Sequence, residues 1–81
     1  MNICIQLFAK AQDLVGAREV TLSLAADATV GDFRKMLGET YPALVPLLPH
    51  LLFASNGEYV SDTAPVVDGH EYAAFPPVSG G

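Results

Sequence analysis

The chain of 81 residues is poor in cysteine and in positive charge. Cys4 is its single cysteine, which excludes an intrachain disulfide and a cluster of thiolate metal ligands. The chain has four basic and nine acidic side chains, which gives a formal charge of -5. This negative charge argues against phosphate backbones and anionic membrane surfaces as partners. No apolar run approaches the roughly 20 residues of a membrane-spanning helix. We therefore expect partners other than nucleic acid and membranes.

Signals for export and for metal binding are also missing. Met1 leads directly into an alternating segment, without the basic flank and cleavage site of a signal peptide, so a cytoplasmic location is expected. His50 and His70 are far apart and in no ligand spacing, so no metal site is indicated. The lone thiol of Cys4, between two isoleucines, is expected to be an inert packed group.

Apolar residues, in contrast, are abundant. A composition of 51% hydrophobic and 16% charged residues predicts a compact globule, and the length allows one domain. We assign residues 1–75 to this domain and residues 76–81 to a C-terminal tail. A chain this apolar leaves some of its apolar surface exposed. In a small protein, exposed apolar surface often marks a binding face.

Two N-terminal strands are predicted from alternation of apolar and polar residues. The first covers residues 2–8 and places three apolar side chains on one face: Ile3, Ile5 and Leu7. The second covers residues 19–24 in the same way, with Val20, Leu22 and Leu24. Residues 9–16 between them predict a short helical turn that ends at Gly16.

One main helix is predicted for residues 30–41. Thr29 and Asp32 have the spacing of a capping box at its start, and Pro42 ends it. Helical spacing places one apolar stripe on the core: Val30, Phe33, Met36 and Leu37. Three charged residues are expected to point into solvent: Arg34, Lys35 and Glu39. Gly31 and Gly38 are expected to weaken the helix by up to about 1 kcal/mol each.

The second half of the chain predicts an ordered proline-rich segment and three short strands. Residues 42–49 carry three prolines and several leucines, and strands follow at 51–55, 58–60 and 70–75, the first two joined by an Asn56-Gly57 hairpin turn. The predicted class is α+β, a mixed sheet with one main helix packed on one face. This is the element order of the β-grasp, or ubiquitin-like, fold.

Side-chain catalysis has no convincing site in this sequence. There is no nucleophile elbow, phosphate-binding glycine loop or helical histidine pair. The carboxylates are scattered and are expected to solvate the surface: Asp13, Glu19, Asp27, Asp32, Glu39, Glu58, Asp62, Asp68 and Glu71. The chain is therefore not expected to be an enzyme on its own.

The tail is the most informative segment: Pro76, Pro77, Val78, Ser79, Gly80 and Gly81. Prolines favour an extended chain of about 3.1 Å per residue, so six residues could project roughly 19 Å, and two glycines could thread a narrow channel. The Gly81 carboxylate is a poor acyl donor. Activation by ATP would convert it to an acyl-adenylate, and a sulfur donor could then form a terminal thiocarboxylate. The alternative is a loose terminus that ends in glycines by chance.

This ending resembles the Phe-Pro-Pro-Val-(Ser or Thr)-Gly-Gly terminus of the small, sulfur-carrying subunits of molybdopterin synthase. Residues 7–9, Leu-Phe-Ala, and residues 14–16, Leu-Val-Gly, are similar to the N-terminal signature of that family. Asp68-Gly69 followed by Glu71 also matches. The resemblance spans essentially the whole chain and is weakest in residues 43–59.

The resemblance implies a β-grasp carrier that binds no cofactor. Gly81 would be adenylated by a ubiquitin-activating-like enzyme that uses ATP, and then thiocarboxylated by a sulfur donor protein. Residues 76–80 would insert into the large synthase subunit, where sulfur passes to cyclic pyranopterin monophosphate to build the dithiolene of molybdopterin. Two small and two large subunits would assemble, with the catalytic side chains on the large one.

Docking residues are also implied by the resemblance. Phe75, with Phe8 and Tyr59, would form an apolar docking face, and simple core packing is the alternative for these side chains. Many relatives carry Arg-Glu where this chain has Gln12-Asp13, so an ion pair made by that arginine cannot be carried over.

Three other functions stay open. A sulfur carrier for the thiazole of thiamine shares the fold and the Gly-Gly end, but is usually shorter and lacks the Phe-Pro-Pro neck. A ubiquitin-like protein modifier would form conjugates on lysine side chains. A plain interaction domain would be unaffected by loss of Gly80-Gly81.

Overall fold

The computed structural model describes residues 1–77, and the four residues Val78, Ser79, Gly80 and Gly81 lie outside this range. Five strands are formed: β1 (Asn2–Leu7), β2 (Glu19–Ser23), β3 (Leu52–Ser55), β4 (Glu58–Val60) and β5 (Glu71–Phe75). The helices are α1 (Ala9–Val15) and α2 (Val30–Thr40), followed by two 3₁₀ helices, Pro42–Leu44 and Leu48–His50. Each strand and α-helix lies within a residue or two of its predicted position, and the two 3₁₀ helices lie where an ordered proline-rich segment was predicted.

All five strands form one sheet in the order β2-β1-β5-β3-β4. The central pair, β1 and β5, is parallel, and the other three pairs are antiparallel. The first and last strands of the domain are therefore neighbours, and α2 lies in the connection between them. The predicted α+β class, with a mixed β-grasp sheet and one main helix, is confirmed.

The core lies between α2 and one face of the sheet. The predicted alternation is confirmed in β1, where the three side chains of one face are buried: Ile3, Ile5 and Leu7. Phe33 of α2 lies 4.6 Å from the Phe53 ring and 5.3 Å from the Tyr72 ring, centroid to centroid, and the Tyr72 contact is edge-on. Such tilted aromatic pairs are favoured over face-to-face stacking. The Tyr72 hydroxyl accepts a hydrogen bond from the Val67 amide at 3.0 Å, so its polar atom is satisfied.

Helix α2 begins at the predicted capping box. The Thr29 hydroxyl accepts from the Asp32 amide at 3.3 Å, and the Asp32 carboxylate accepts from the Thr29 amide at 2.9 Å. Two backbone amides that the helix itself leaves without partners are thereby satisfied. Asp32 is thus a capping residue as well as a surface carboxylate.

Arg34 departs from its prediction as a solvent-facing residue. Its guanidinium contacts both Asp62 oxygens, at 2.8 and 3.1 Å, and donates to the backbone carbonyls of Leu48 and Leu51, the latter at 2.9 Å. It also lies 4.8 Å from the centre of the Phe53 ring. The prediction was wrong because all of these partners are 14 or more residues away along the chain, so helical periodicity alone contains no sign of them.

The segment between α2 and β3 packs tightly on the helix. Gly38 is buried, and a Cβ atom at this position would collide with the Cδ1 atom of Leu48. The glycine that was predicted to weaken α2 therefore allows the second 3₁₀ helix to approach. After β3, Asn56 and Gly57 both have positive φ values, 53° and 80°, which is the geometry of the predicted two-residue hairpin turn.

Candidate functional site

The sheet face away from α2 is only partly covered, and one end of it is apolar. Register places Leu52 of β3 opposite Phe75 of β5, and Ala54 opposite both Tyr59 of β4 and Ala73 of β5. Paired residues point to the same side of a sheet, so these side chains share the face opposite the core. The small side chains of Ala54 and Ala73 lie between the Leu52–Phe75 pair and Tyr59.

Phe8 covers the end of this face at the point where the domain ends. Its ring stacks on Phe75 at 4.8 Å between centroids and 12° between planes, and its amide donates to the Ala74 carbonyl at 3.2 Å. Ala9 follows with φ 52°, a left-handed conformation that costs a non-glycine residue about 1 to 2 kcal/mol. This single residue turns the chain from β1 into α1 and leaves Phe8 over Phe75.

A groove of about 480 Å³ begins beside this aromatic stack and runs to the start of the tail. We call it the neck groove, and its lining residues are Phe8, Ala9, Lys10, Leu52, Tyr59, Phe75, Pro76 and Pro77. Most of these side chains are apolar, and three of them are strongly exposed: Phe8 at 39%, Leu52 at 44% and Tyr59 at 73%. A contiguous exposed apolar surface of this kind is typical of a protein-binding site.

The structure brings together the three residues predicted to form a docking face. Phe8 is exposed, so it is not a core residue, and Phe75 is half-buried beneath it. Pro76 and Pro77 line the same groove, whereas the predictions for Val78, Ser79, Gly80 and Gly81 fall outside the described part of the chain. Their functional roles stay predictions.

Leu52, Ala9 and Lys10 were missed by the sequence analysis. Leu52 could have been found by extending the alternation into β3, where Phe53 faces the core and Leu52 therefore faces outward. Lys10 gives no such signal, because its place beside the neck depends on the left-handed turn at Ala9.

The Cys4 thiol lies on the same sheet face, at the end away from the neck groove. It is half-buried, and burial, a hydrogen bond with Glu19 and the negative charges of Glu19 and Glu71 raise its pKa to about 11. The thiol is protonated at neutral pH and hence a poor nucleophile, in agreement with the predicted inert role.

Other site classes have little support in residues 1–77. That part of the chain contains no group of three His, Cys, Asp or Glu side chains arranged to hold a metal ion. It also contains no helix long and apolar enough to cross a membrane. The neck groove is therefore the principal candidate site.

The domain has a β-grasp fold, and a Pro-Pro neck leaves its last strand beside an exposed apolar groove. These features place the chain in the class of ubiquitin-like proteins. The chain matches the ThiS family over residues 5–81, and it belongs to that family. It is 36% identical to the molybdopterin synthase sulfur carrier subunit of Chlamydomonas reinhardtii, with each chain covered completely. It is 37% identical to small archaeal modifier protein 1 of Haloferax volcanii, over 94% of this chain and 97% of that protein. The crystal structure of that modifier superposes with a TM-score of 0.87 over the full length of both chains, at 34% identity.

Proposed function

We propose that the chain is the sulfur-carrying subunit of a molybdopterin synthase, with Gly81 as the reacting residue. Its carboxylate attacks the α-phosphate of ATP on a ubiquitin-activating-like adenylyltransferase, which forms the acyl-adenylate and releases pyrophosphate. A sulfur donor protein then supplies sulfide-level sulfur, HS⁻, which displaces AMP and leaves a terminal thiocarboxylate. The thiocarboxylate delivers its sulfur to cyclic pyranopterin monophosphate, and an oxygen from water restores the Gly81 carboxylate. ATP is consumed by the activating enzyme, and the carrier itself holds no cofactor.

The neck groove is the observation that carries this proposal. A carrier needs a rigid domain that docks on its partner and a terminus that reaches the active site of that partner. Phe8 and Phe75 place an exposed aromatic stack where β5 ends, and Pro76 and Pro77 continue from it along the groove. Docking and delivery of the tail therefore use neighbouring residues.

The partner in this proposal is the large subunit of the synthase, in an assembly of two small and two large subunits. The raised pKa of Cys4 keeps the one thiol of this chain protonated at neutral pH, and it lies at the far end of the sheet face. This supports a division of roles in which the catalytic side chains belong to the partner. Phe8, Tyr59 and Phe75 would provide the central contacts of the interface, where large apolar side chains contribute most to affinity.

Intact-mass measurement tests the carrier chemistry directly. The full chain is incubated with ATP, the adenylyltransferase of the same organism and a sulfide source, beside a chain that lacks Gly81. A mass gain that matches replacement of one oxygen by sulfur is expected in the full chain alone. An unchanged mass, with an adenylyltransferase that releases pyrophosphate normally, would refute the thiocarboxylate.

The identity of the acceptor needs a second reaction. The thiocarboxylated chain is mixed with the large subunit and cyclic pyranopterin monophosphate, and molybdopterin is quantified. Formation of molybdopterin is expected. If the thiocarboxylate supports formation of the thiazole and not of molybdopterin, the result would assign the chain to thiamine synthesis instead.

Protein modification is the second candidate, because of the 37% identity to an archaeal modifier protein. The same adenylate would then react with a lysine amine to form an isopeptide bond and release AMP. An epitope-labelled chain expressed in its host distinguishes the two functions. Conjugates of higher mass that disappear on deletion of Gly81 would support a modifier.

A further inference from the structure

Lys10 and Arg18 line two surfaces that share Phe8, whose ring stacks on Phe75 at the end of β5. Lys10 lines the neck groove. Arg18 lines a second hollow of about 420 Å³, bordered by Gln6, Leu7, Phe8, Gln12 and Glu19. We call this second surface the edge hollow. Phe8 belongs to both surfaces, so the two basic residues flank one aromatic ring.

Neither of these two cations is neutralised within residues 1–77. The single ion pair of that part of the chain joins Arg34 to Asp62, and no carboxylate there lies within 4 Å of Lys10 or Arg18. Glu19 lines the edge hollow beside Arg18, but no oxygen of its carboxylate lies within 4 Å of the guanidinium nitrogens. The other two basic residues, Arg34 and Lys35, are on α2, which covers the opposite face of the sheet.

The far end of the same face carries the opposite charge. Glu71 is paired with Cys4 and lies four residues before Phe75, which is roughly 13 Å along β5. Glu19 lies in register with Gln6 on the other side of β1. Glu71 thus makes the far end of the face acidic, Lys10 lines the apolar neck groove, and Arg18 and Glu19 lie together in the edge hollow.

We infer that the partner surface receiving the tail is an apolar patch with carboxylates at its edge, placed to meet Lys10 and Arg18. A partner that covered the neck groove without a carboxylate near Lys10 would take that cation out of water uncompensated, which is costly, and Arg18 lies in the adjoining edge hollow. The apolar residues between the cations require apolar contact, so the occupant is a protein surface and not a small anion. The acidic far end repels the same partner carboxylates, so docking is favoured in the one orientation that points the tail at its channel.

Charge reversal at single positions tests this inference, which rests on the proposed function for the choice of partner. The variants are Lys10→Glu and Arg18→Glu, and the matched control is Lys35→Glu on the opposite side of the sheet. Each is checked for folding by circular dichroism. Binding to the large synthase subunit of the same organism is measured at about 50 mM and about 500 mM salt, since screening at the higher concentration removes interactions between exposed charges beyond a few ångströms.

We expect Lys10→Glu and Arg18→Glu each to weaken binding by about tenfold at low salt, mainly through slower association, and by about threefold or less at high salt. Lys35→Glu should stay within about twofold of the wild type. Equal effects of all three variants, or a deficit that salt does not reduce, would overturn the inference and leave the proposed function intact. A wild-type chain that fails to bind the large subunit would instead refute both.

Discussion

Replacement of Arg34 by methionine should destabilise the fold far more than its position on a helix surface indicates. Methionine keeps the apolar stem and the helix propensity of arginine but removes every guanidinium contact. Those contacts are with the carboxylate of Asp62, the carbonyls of Leu48 and Leu51, and the Phe53 ring. Together they join α2 to the segment that leads into β3, to β3 itself and to the segment after β4.

The size of the loss follows from how exposed each contact is. The Asp62 side chain is 52% exposed, so its ion pair contributes only about 0.5 kcal/mol. The two partly buried carbonyls lose hydrogen bonds worth about 1 kcal/mol each, and the contact with the Phe53 ring adds about 0.5 kcal/mol. We expect a total of about 3 kcal/mol, which lowers the Tm of a domain this small by roughly 12 to 24 °C.

Urea and thermal unfolding followed by circular dichroism measure this loss. Lys35→Met on the same helix is the matched control, because it removes one exposed cation that makes no ion pair within residues 1–77. Asp62→Asn should cost less than about 1 kcal/mol, so most of the Arg34 effect must come from the carbonyls. A loss in Arg34→Met that is no larger than in Lys35→Met would refute the role assigned to this side chain.

Two further predictions concern the open face of the sheet. Tyr59→Thr keeps a strand-forming residue at an exposed position, so stability should change by less than about 1 kcal/mol, while affinity for the large subunit should fall by about tenfold. Val45→Ala, exposed and outside the neck groove, is its control, and equal losses of affinity would argue against docking through Tyr59. For Cys4, the raised pKa means a small thiolate fraction at pH 8, so alkylation by iodoacetamide should be slower than in the unfolded chain, with a midpoint near pH 11. A folded-state midpoint near the ordinary value of 9.0 would contradict the environment assigned to this thiol.

Most of the fold could be predicted because the relevant signals are local. Alternation in β1 and β2, the capping box at Thr29 and the Asn56-Gly57 turn each depend on residues a few positions apart. Such patterns act through backbone geometry and the period of burial, which hardly depend on the rest of the chain. The bounds of β1, β2, β3 and β5 each differed from prediction by one residue.

The candidate site could be predicted only in part. Phe8, Tyr59 and Phe75 were identified through resemblance, since nothing in the spacing of three aromatics so far apart in sequence predicts that they share a surface. Register decided it, because β5 pairs in parallel with β1 and antiparallel with β3. Leu52 and Lys10 joined the neck groove through the same long-range pairing and the turn at Ala9.

By itself, the sequence determined the elements, the buried face of each strand and the chemistry available at the terminus, because these follow from residue type and short spacing. The tertiary structure decided which exposed residues meet. It paired Arg34 with Asp62 across 28 positions, exposed Phe8 over Phe75, and left Lys10 and Arg18 in two adjoining hollows that share Phe8. These contacts depend on how strands distant in sequence align in one sheet, and that alignment is fixed by packing of the whole core.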